Sequence, residues 1–114
     1  MKRVILESPY AGDVDRNVAY ARACLRDSLL RGEAPIASHL LYTQPGVLRD
    51  EDRAERVRGI IAGLAWITDA ESSVVYTDLG ITEGMRYGVA RAIRAGVDVD
   101  YRELGGDWQT GGAS

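Results

Sequence analysis

The nine residues GITEGMRYG, Gly80 to Gly88, place a threonine, a glutamate and an arginine at the start of an expected helix. Thr82 is read as its cap. The amides behind it have no intrahelical partner, so this end favours an anion. Glu83 is either that favourable charge itself or the neighbour of a bound phosphate competing for the same N–H groups. Arg86 lies one turn beyond Thr82. It either holds a phosphate or pairs with Glu83 at i,i+3, an interaction of only about 0.2–0.5 kcal/mol. Asp78 is a second carboxylate in the same loop. It is either a turn residue or half of a carboxylate pair that divides acid and nucleophile roles.

Two further loops are polar. The segment SPYAGD, residues 8–13, offers Ser8, Tyr10 and Asp13 beside Gly12. The segment HLLYTQ, residues 39–44, offers His39, Tyr42 and Gln44. Tyr10 either stacks on a base or packs as an ordinary aromatic. His39 is the single histidine, and it either contacts a ligand as an acid or base or serves a structural hydrogen bond. One histidine and one distant cysteine, Cys24, cannot make a typical zinc site, so no metal is expected. Neither GxGxxG nor GxxxxGK[ST] occurs, so a dinucleotide fingerprint and a P-loop are both unsupported and no cofactor is expected.

These loops must be positioned by regular elements. RVILES, residues 3–8, is a short apolar run that reads as a buried strand. Val14, Val18, Ala21, Leu25 and Leu29 follow at helical spacing, with Asp13 and Asp15 at the start and Gly32 past the end. APIAS, residues 34–38, is a second strand. After the Pro45-Gly46 turn, a second helix begins near Asp50, with Ala54, Val57, Ile61, Leu64 and Ala65 as its expected buried stripe. SSVVYTD, residues 72–78, is a third strand. A third helix then turns Met85, Val89, Ala92 and Ile93 inward and stops at Gly96. Finally Val97, Val99 and Tyr101 alternate with Asp98, Asp100 and Arg102, which predicts an edge strand with one wet face.

The order βαβαβαβ demands a parallel sheet with helices on its faces. Right-handed crossovers then favour a four-stranded α/β sheet of order 2-1-3-4, with a switch point between the first and third strands. In such a sheet ligands bind outside the carboxyl ends of the strands. That rule selects the three polar loops, whereas the opposite ends carry mostly arginine and alanine. The expected domain spans residues 1–104, and the glycine-rich residues 105–114 form a flexible tail with an anchor at Trp108.

The chain has 114 residues, 46% of them hydrophobic and 27% charged, which is enough for one soluble domain with a real core. The net charge of −3 argues against a partner that is a nucleic acid polymer. No apolar run reaches the length of a membrane span or a signal-peptide core, so no membrane partner and a cytoplasmic location are expected. Trp66 and the pair Gly59 and Gly63 either pack internally or serve a dimer interface.

Three segments, VILESPYAGDVDRNVAYAR, PIASHLL and LGITEGMRYGVARA, together resemble the nucleoside 2-deoxyribosyltransferase-like superfamily, in particular its short uncharacterised phage and bacterial members. The resemblance covers about residues 3–101. It implies a small Rossmann-like, flavodoxin-like three-layer sandwich. It also implies a small-molecule nucleoside or nucleotide as partner, assembly into a homodimer or higher homo-oligomer, and a host-cytoplasm setting for phage members. Established members cleave or exchange N-glycosidic bonds with a helix-start glutamate as nucleophile. The matching motif here is Gly84-Met85-Arg86-Tyr87-Gly88, which puts an arginine at the nucleophile position, and guanidinium is not a nucleophile. Gly88 stands where short relatives often carry a glutamate. The resemblance therefore implies ligand contacts from Ser8, Tyr10, Gly12, Asp13, His39, Tyr42, Thr82, Gly84, Met85 and Arg86. Binding without covalent chemistry is the leading expectation. N-glycosidic cleavage of nucleoside monophosphates by Glu83 or Asp78 is the alternative.

Overall fold

The run Val4-Ile5-Leu6 has no charge to interrupt it, and in the computed structural model it forms the buried centre of β1, Lys2–Glu7. The structure describes residues 1–106 and 108–111. The chain continues through α1 (Val14–Leu30), β2 (Glu33–Ile36), a helical turn α2 (Ser38–Leu41) and α3 (Arg53–Ala65). A short 3₁₀ turn at Ile67–Asp69 leads into β3 (Ser72–Tyr76), then α4 (Glu83–Arg94), β4 (Asp98–Arg102) and α5 (Trp108–Gly111). All three strand pairings are parallel and the sheet order is β2-β1-β3-β4, as the alternation of elements requires. The register sets Glu7 beside Val75 and Tyr76 beside Arg102.

The period-2 geometry of the strands divides the core into two layers. Val4 and Leu6 of β1 and Val74 and Tyr76 of β3 face α1, where they pack on Tyr20 and Cys24. Ile5 meets Ile67 and Ala92, and Val75 meets Met85 and Val89, on the face covered by α3 and α4. This makes the three-layer α/β sandwich. Glu7 follows Ile5 on the α3/α4 side, so the strand delivers a carboxylate to a layer that is otherwise apolar.

Several local expectations are corrected by the packing. The buried stripe of α1 is Asn17, Tyr20, Ala21, Cys24 and Ser28, not Val14 and Leu29, which are exposed. Polar anchoring turns the helix: Asn17 Nδ2 donates to the carbonyls of Tyr10 and Ala11 at 2.8 and 3.1 Å, and Ser28 Oγ donates to Glu33 at 2.8 Å. On α3 only Gly63 is fully buried, while Val57 and Ile61 are 47% and 63% exposed. Ile93 is also exposed. The edge strand departs from its expected alternation at its end: Tyr101 faces solvent and Arg102 is buried. Arg102 is held at 2.6 Å by Glu33, with side-chain exposures of only 7% and 10%. That pair, aided by Ser28, holds the Glu33 carboxyl down at about 2.

The expected flexible tail falls partly on residues 107 and 112–114, which lie outside the described residues. Trp108 packs edge-on against Tyr20 with ring centroids 5.0 Å apart. No helix among the described residues is long and apolar enough to cross a membrane.

Candidate functional site

Above the carboxyl end of β1, between α2, α3 and the start of α4, lies a cavity of about 280 Å³. It opens next to the switch point, where β1 and β3 lie side by side and the helices diverge to opposite faces. Ser8 and Tyr10 reach it from the first loop, and His39 and Tyr42 from α2 and its C-terminal end. Thr82, Glu83, Gly84 and Met85 reach it from the start of α4. The polar loops selected from the sequence thus supply eight of the nominated side chains or glycines to one hollow.

Each is held by an identifiable contact. The Asn17 amide fixes the backbone of the first loop, and so aims Tyr10. A Cβ on Gly63 would collide with Ser38 Oγ, so the glycine lets α2 seat against α3 and brings His39 over the sheet. Gly59 is similarly used inside the chain, where a Cβ would lie 3.2 Å from Leu48 Cδ1. Thr43 Oγ1 donates to the His39 carbonyl at 2.6 Å, and Trp66 Nε1 donates to the Tyr42 hydroxyl at 3.0 Å. Thr82 caps α4, its Oγ1 accepting from the Met85 amide at 3.2 Å.

Ser8 Oγ and His39 Nε2 share a hydrogen bond of 2.7 Å. Burial holds the imidazole well below its ordinary value, at about 4, so it is neutral at pH 7, and which partner donates in the Ser8 bond is set by which ring nitrogen carries the proton. No described side chain orients Nδ1, so the pair lacks the third member of a hydrolytic triad.

Sequence reasoning did not single out Glu7, which also lines the cavity. It falls inside the expected strand RVILES, residues 3–8, with no role assigned to it. Its carboxyl makes no hydrogen bond or ion pair among the described residues, and burial pushes it up to about 7. It packs onto α4 at Gly88. A Cβ there would collide with Glu7 Oε2 and lie 2.8 Å from its Cδ, so the missing side chain at Gly88 is what admits the carboxyl.

Four nominated residues lie elsewhere. Asp78 is outside the cavity lining. Its carboxylate accepts from the Tyr20 hydroxyl at 2.5 Å and from the amides of Leu104 and Gly105 at 2.9 and 3.0 Å. Burial acts to raise it, but those hydrogen bonds outweigh burial and keep it below its ordinary value. Asp13 is spent on capping α1, accepting from the Arg16 amide at 3.3 Å, and Gly12 supplies a turn with φ +105°. Arg86 is exposed on the outer face of α4 and does not line the cavity, because its position on the helix points away from the sheet that Met85 and Val89 cover.

The lining is acidic. Glu7, Asp50, Glu55 and Glu83 all contribute to it, and Arg56 is its guanidinium. No cluster of metal-ligating side chains occurs among the described residues.

A parallel sheet wound both ways from a switch point, with a cavity above it, places the chain in the doubly wound α/β class. Within that class, residues 2–102 match the model of a domain of unknown function, DUF7768, and the chain belongs to that family. The fold is similar to that of the solved 2-deoxyribosyltransferase of the psychrotolerant bacterium Bacillus psychrosaccharolyticus. The TM-score is 0.63 and the identity 19%, over 91% of this chain and 74% of that one. That protein is described as a biocatalyst for the synthesis of antiviral and antitumoral nucleosides. No functionally curated protein matches the chain.

Proposed function

We propose that the protein binds a nucleoside in the cavity above β1. The observation that carries this reading is the convergence of Tyr10, His39, Tyr42 and Thr82, from three separate loops, on one hollow of about 280 Å³ at the switch point. Aromatic rings suited to stacking and a few convergent polar groups are what a small-molecule site needs. The fold likeness to a 2-deoxyribosyltransferase and the motif resemblance across residues 3–101 support the nucleoside class.

The acidic lining narrows the ligand. Asp50 and Glu83 outnumber the lining's one guanidinium, Arg56, Glu55 is tied to Arg49, and Arg86 stands outside, so an uncharged nucleoside suits this cavity better than its polyphosphate. Calorimetry with the four 2′-deoxynucleosides and their 5′-monophosphates and triphosphates tests this. At least one nucleoside is expected to bind, with its triphosphate weaker. Heat from none of them would reject the reading, and a triphosphate binding more tightly would reject its charge argument.

A second reading is N-glycosidic cleavage. Glu83 favours it, because this carboxylate lines the cavity at the start of α4, three residues before the position matched to the superfamily's nucleophile. Chromatography for released base decides. Release that persists in Glu83→Gln would end the assignment. Self-association accords with the exposed Val57, Ile60, Ile61 and Tyr87 on α3 and α4. Sedimentation that gives a monomer at high concentration would contradict it.

A further inference from the structure

Glu7 has no role in the nucleoside reading so far, yet it is the most anomalous group in the cavity. A carboxyl in a largely apolar layer normally finds a hydrogen-bond donor or a cation. Among the described residues Glu7 has neither. The sheet gives it no choice of place: Ile5 and Glu7 share a face, Val75 is its lateral neighbour, and Gly88 leaves room for it to stand upright. Its exposed side is the cavity itself.

The surroundings decide its charge. From α2 the neutral ring of His39 faces the cavity. From the loop before α3 comes Asp50, from α3 come Glu55 and Arg56, from α4 comes Glu83, and Tyr10 and Tyr42 close the remaining sides. Glu55 is bound at 2.9 Å to Arg49, and Arg56 makes no ion pair with Glu7. Burial against the apolar floor disfavours the anion.

We propose that Glu7 is the ligand-contacting carboxyl of this cavity and that it holds its ligand as the neutral acid, donating a hydrogen bond to an acceptor such as a ring nitrogen or carbonyl of a nucleobase. The inference rests on the nucleoside reading and adds its recognition group. The value of about 7 for the free protein agrees with it, because the donor is then present on the acid side of neutrality and lost on the alkaline side. His39, at about 4, does not titrate across that window and cannot produce the same profile.

The test is calorimetric titration of the full chain with each of the four 2′-deoxynucleosides at pH 6 and pH 8, with Glu7→Gln and Glu7→Ala beside the native protein. If only the protonated form binds, the apparent affinity at pH 8 is about tenfold weaker than at pH 6, in proportion to the protonated fraction. Glu7→Gln keeps an amide donor in the same shape, so its affinity is expected to match the pH 6 value at both pH values. Glu7→Ala is expected to bind weakly at both. Thermal melts of each variant confirm folding. Native binding that is equal at the two pH values, or Glu7→Ala binding as well as native, overturns this inference and leaves the nucleoside reading standing. No binding by the native protein at either pH overturns both.

Discussion

Replacing Glu7 by glutamine should stabilise the protein, and only above a defined pH. Burial lifts the Glu7 carboxyl from 4.5 to about 7. Below pH 4.5 the group is protonated in both folded and unfolded chains and contributes no difference. Between 4.5 and about 7 the unfolded chain loses its proton while the folded chain keeps it, so folding weakens as pH rises. Above about 7 the loss is complete. At roughly 1.4 kcal/mol per pH unit it amounts to about 3 kcal/mol, and less where cavity water screens the charge. Glutamine has no proton to lose. Urea unfolding of native and Glu7→Gln protein at pH 4.5 and pH 8 measures the effect, since the amide's own packing cost is the same at both. The variant's relative stability should rise by about 2–3 kcal/mol from the acid to the alkaline condition. A difference independent of pH, or one that grows towards acid, would refute the assignment of Glu7 as a buried unpaired acid.

Other perturbations separate scaffold from site. Asp78→Ala leaves the Tyr20 hydroxyl and two loop amides without their acceptor, and urea unfolding should show a loss of about 3 kcal/mol. Nucleoside affinity, measured where the variant is folded, should be unchanged. Gly88→Ala would ordinarily strengthen a helix by about 1 kcal/mol. Here its Cβ must push aside the Glu7 carboxyl, the far end of a flexible side chain, so chemical denaturation should still show most of that gain while nucleoside affinity falls. Arg102→Ala strands the buried Glu33 and should cost about 3–5 kcal/mol in the same assay. Glu33 also predicts that stability falls as pH drops from 4.5 to about 2, because its lowered value in the folded state is then overcome.

The sheet was legible because its signals are coarse. Short apolar runs such as Val4-Ile5-Leu6 and Val74-Val75-Tyr76 mark strands buried on both faces, and their alternation with helical periods leaves few parallel topologies. The convergence of the first, second and third loops followed from the same rule. What was hidden depends on single side chains whose partners are remote in sequence. Arg102 looked like the wet face of an edge strand, because Glu33 lies 69 residues away. Asp78 looked chemical until its acceptors' partners, Tyr20 and the amides after β4, came into view. The rotation of α1 turns on Asn17 and Ser28, which hydropathy counts as outward. Glu7 carried one faint signal, a charged residue ending a strand that reads as doubly buried. The complementary glycine at position 88, in the middle of an otherwise regular helix, was its counterpart.

The central claim is that the hollow above β1 receives the ligand, and methyl NMR tests it most directly. Ile5, Leu48, Ile60, Leu64, Ile67 and Met85 line that hollow, whereas Leu25, Leu29 and Val74 lie on the α1 side of the sheet or beyond it. Titration with 2′-deoxynucleosides should move the first set and leave the second in place. Shifts confined to the α1 side, or no shifts with any nucleoside at millimolar concentration, would contradict the account.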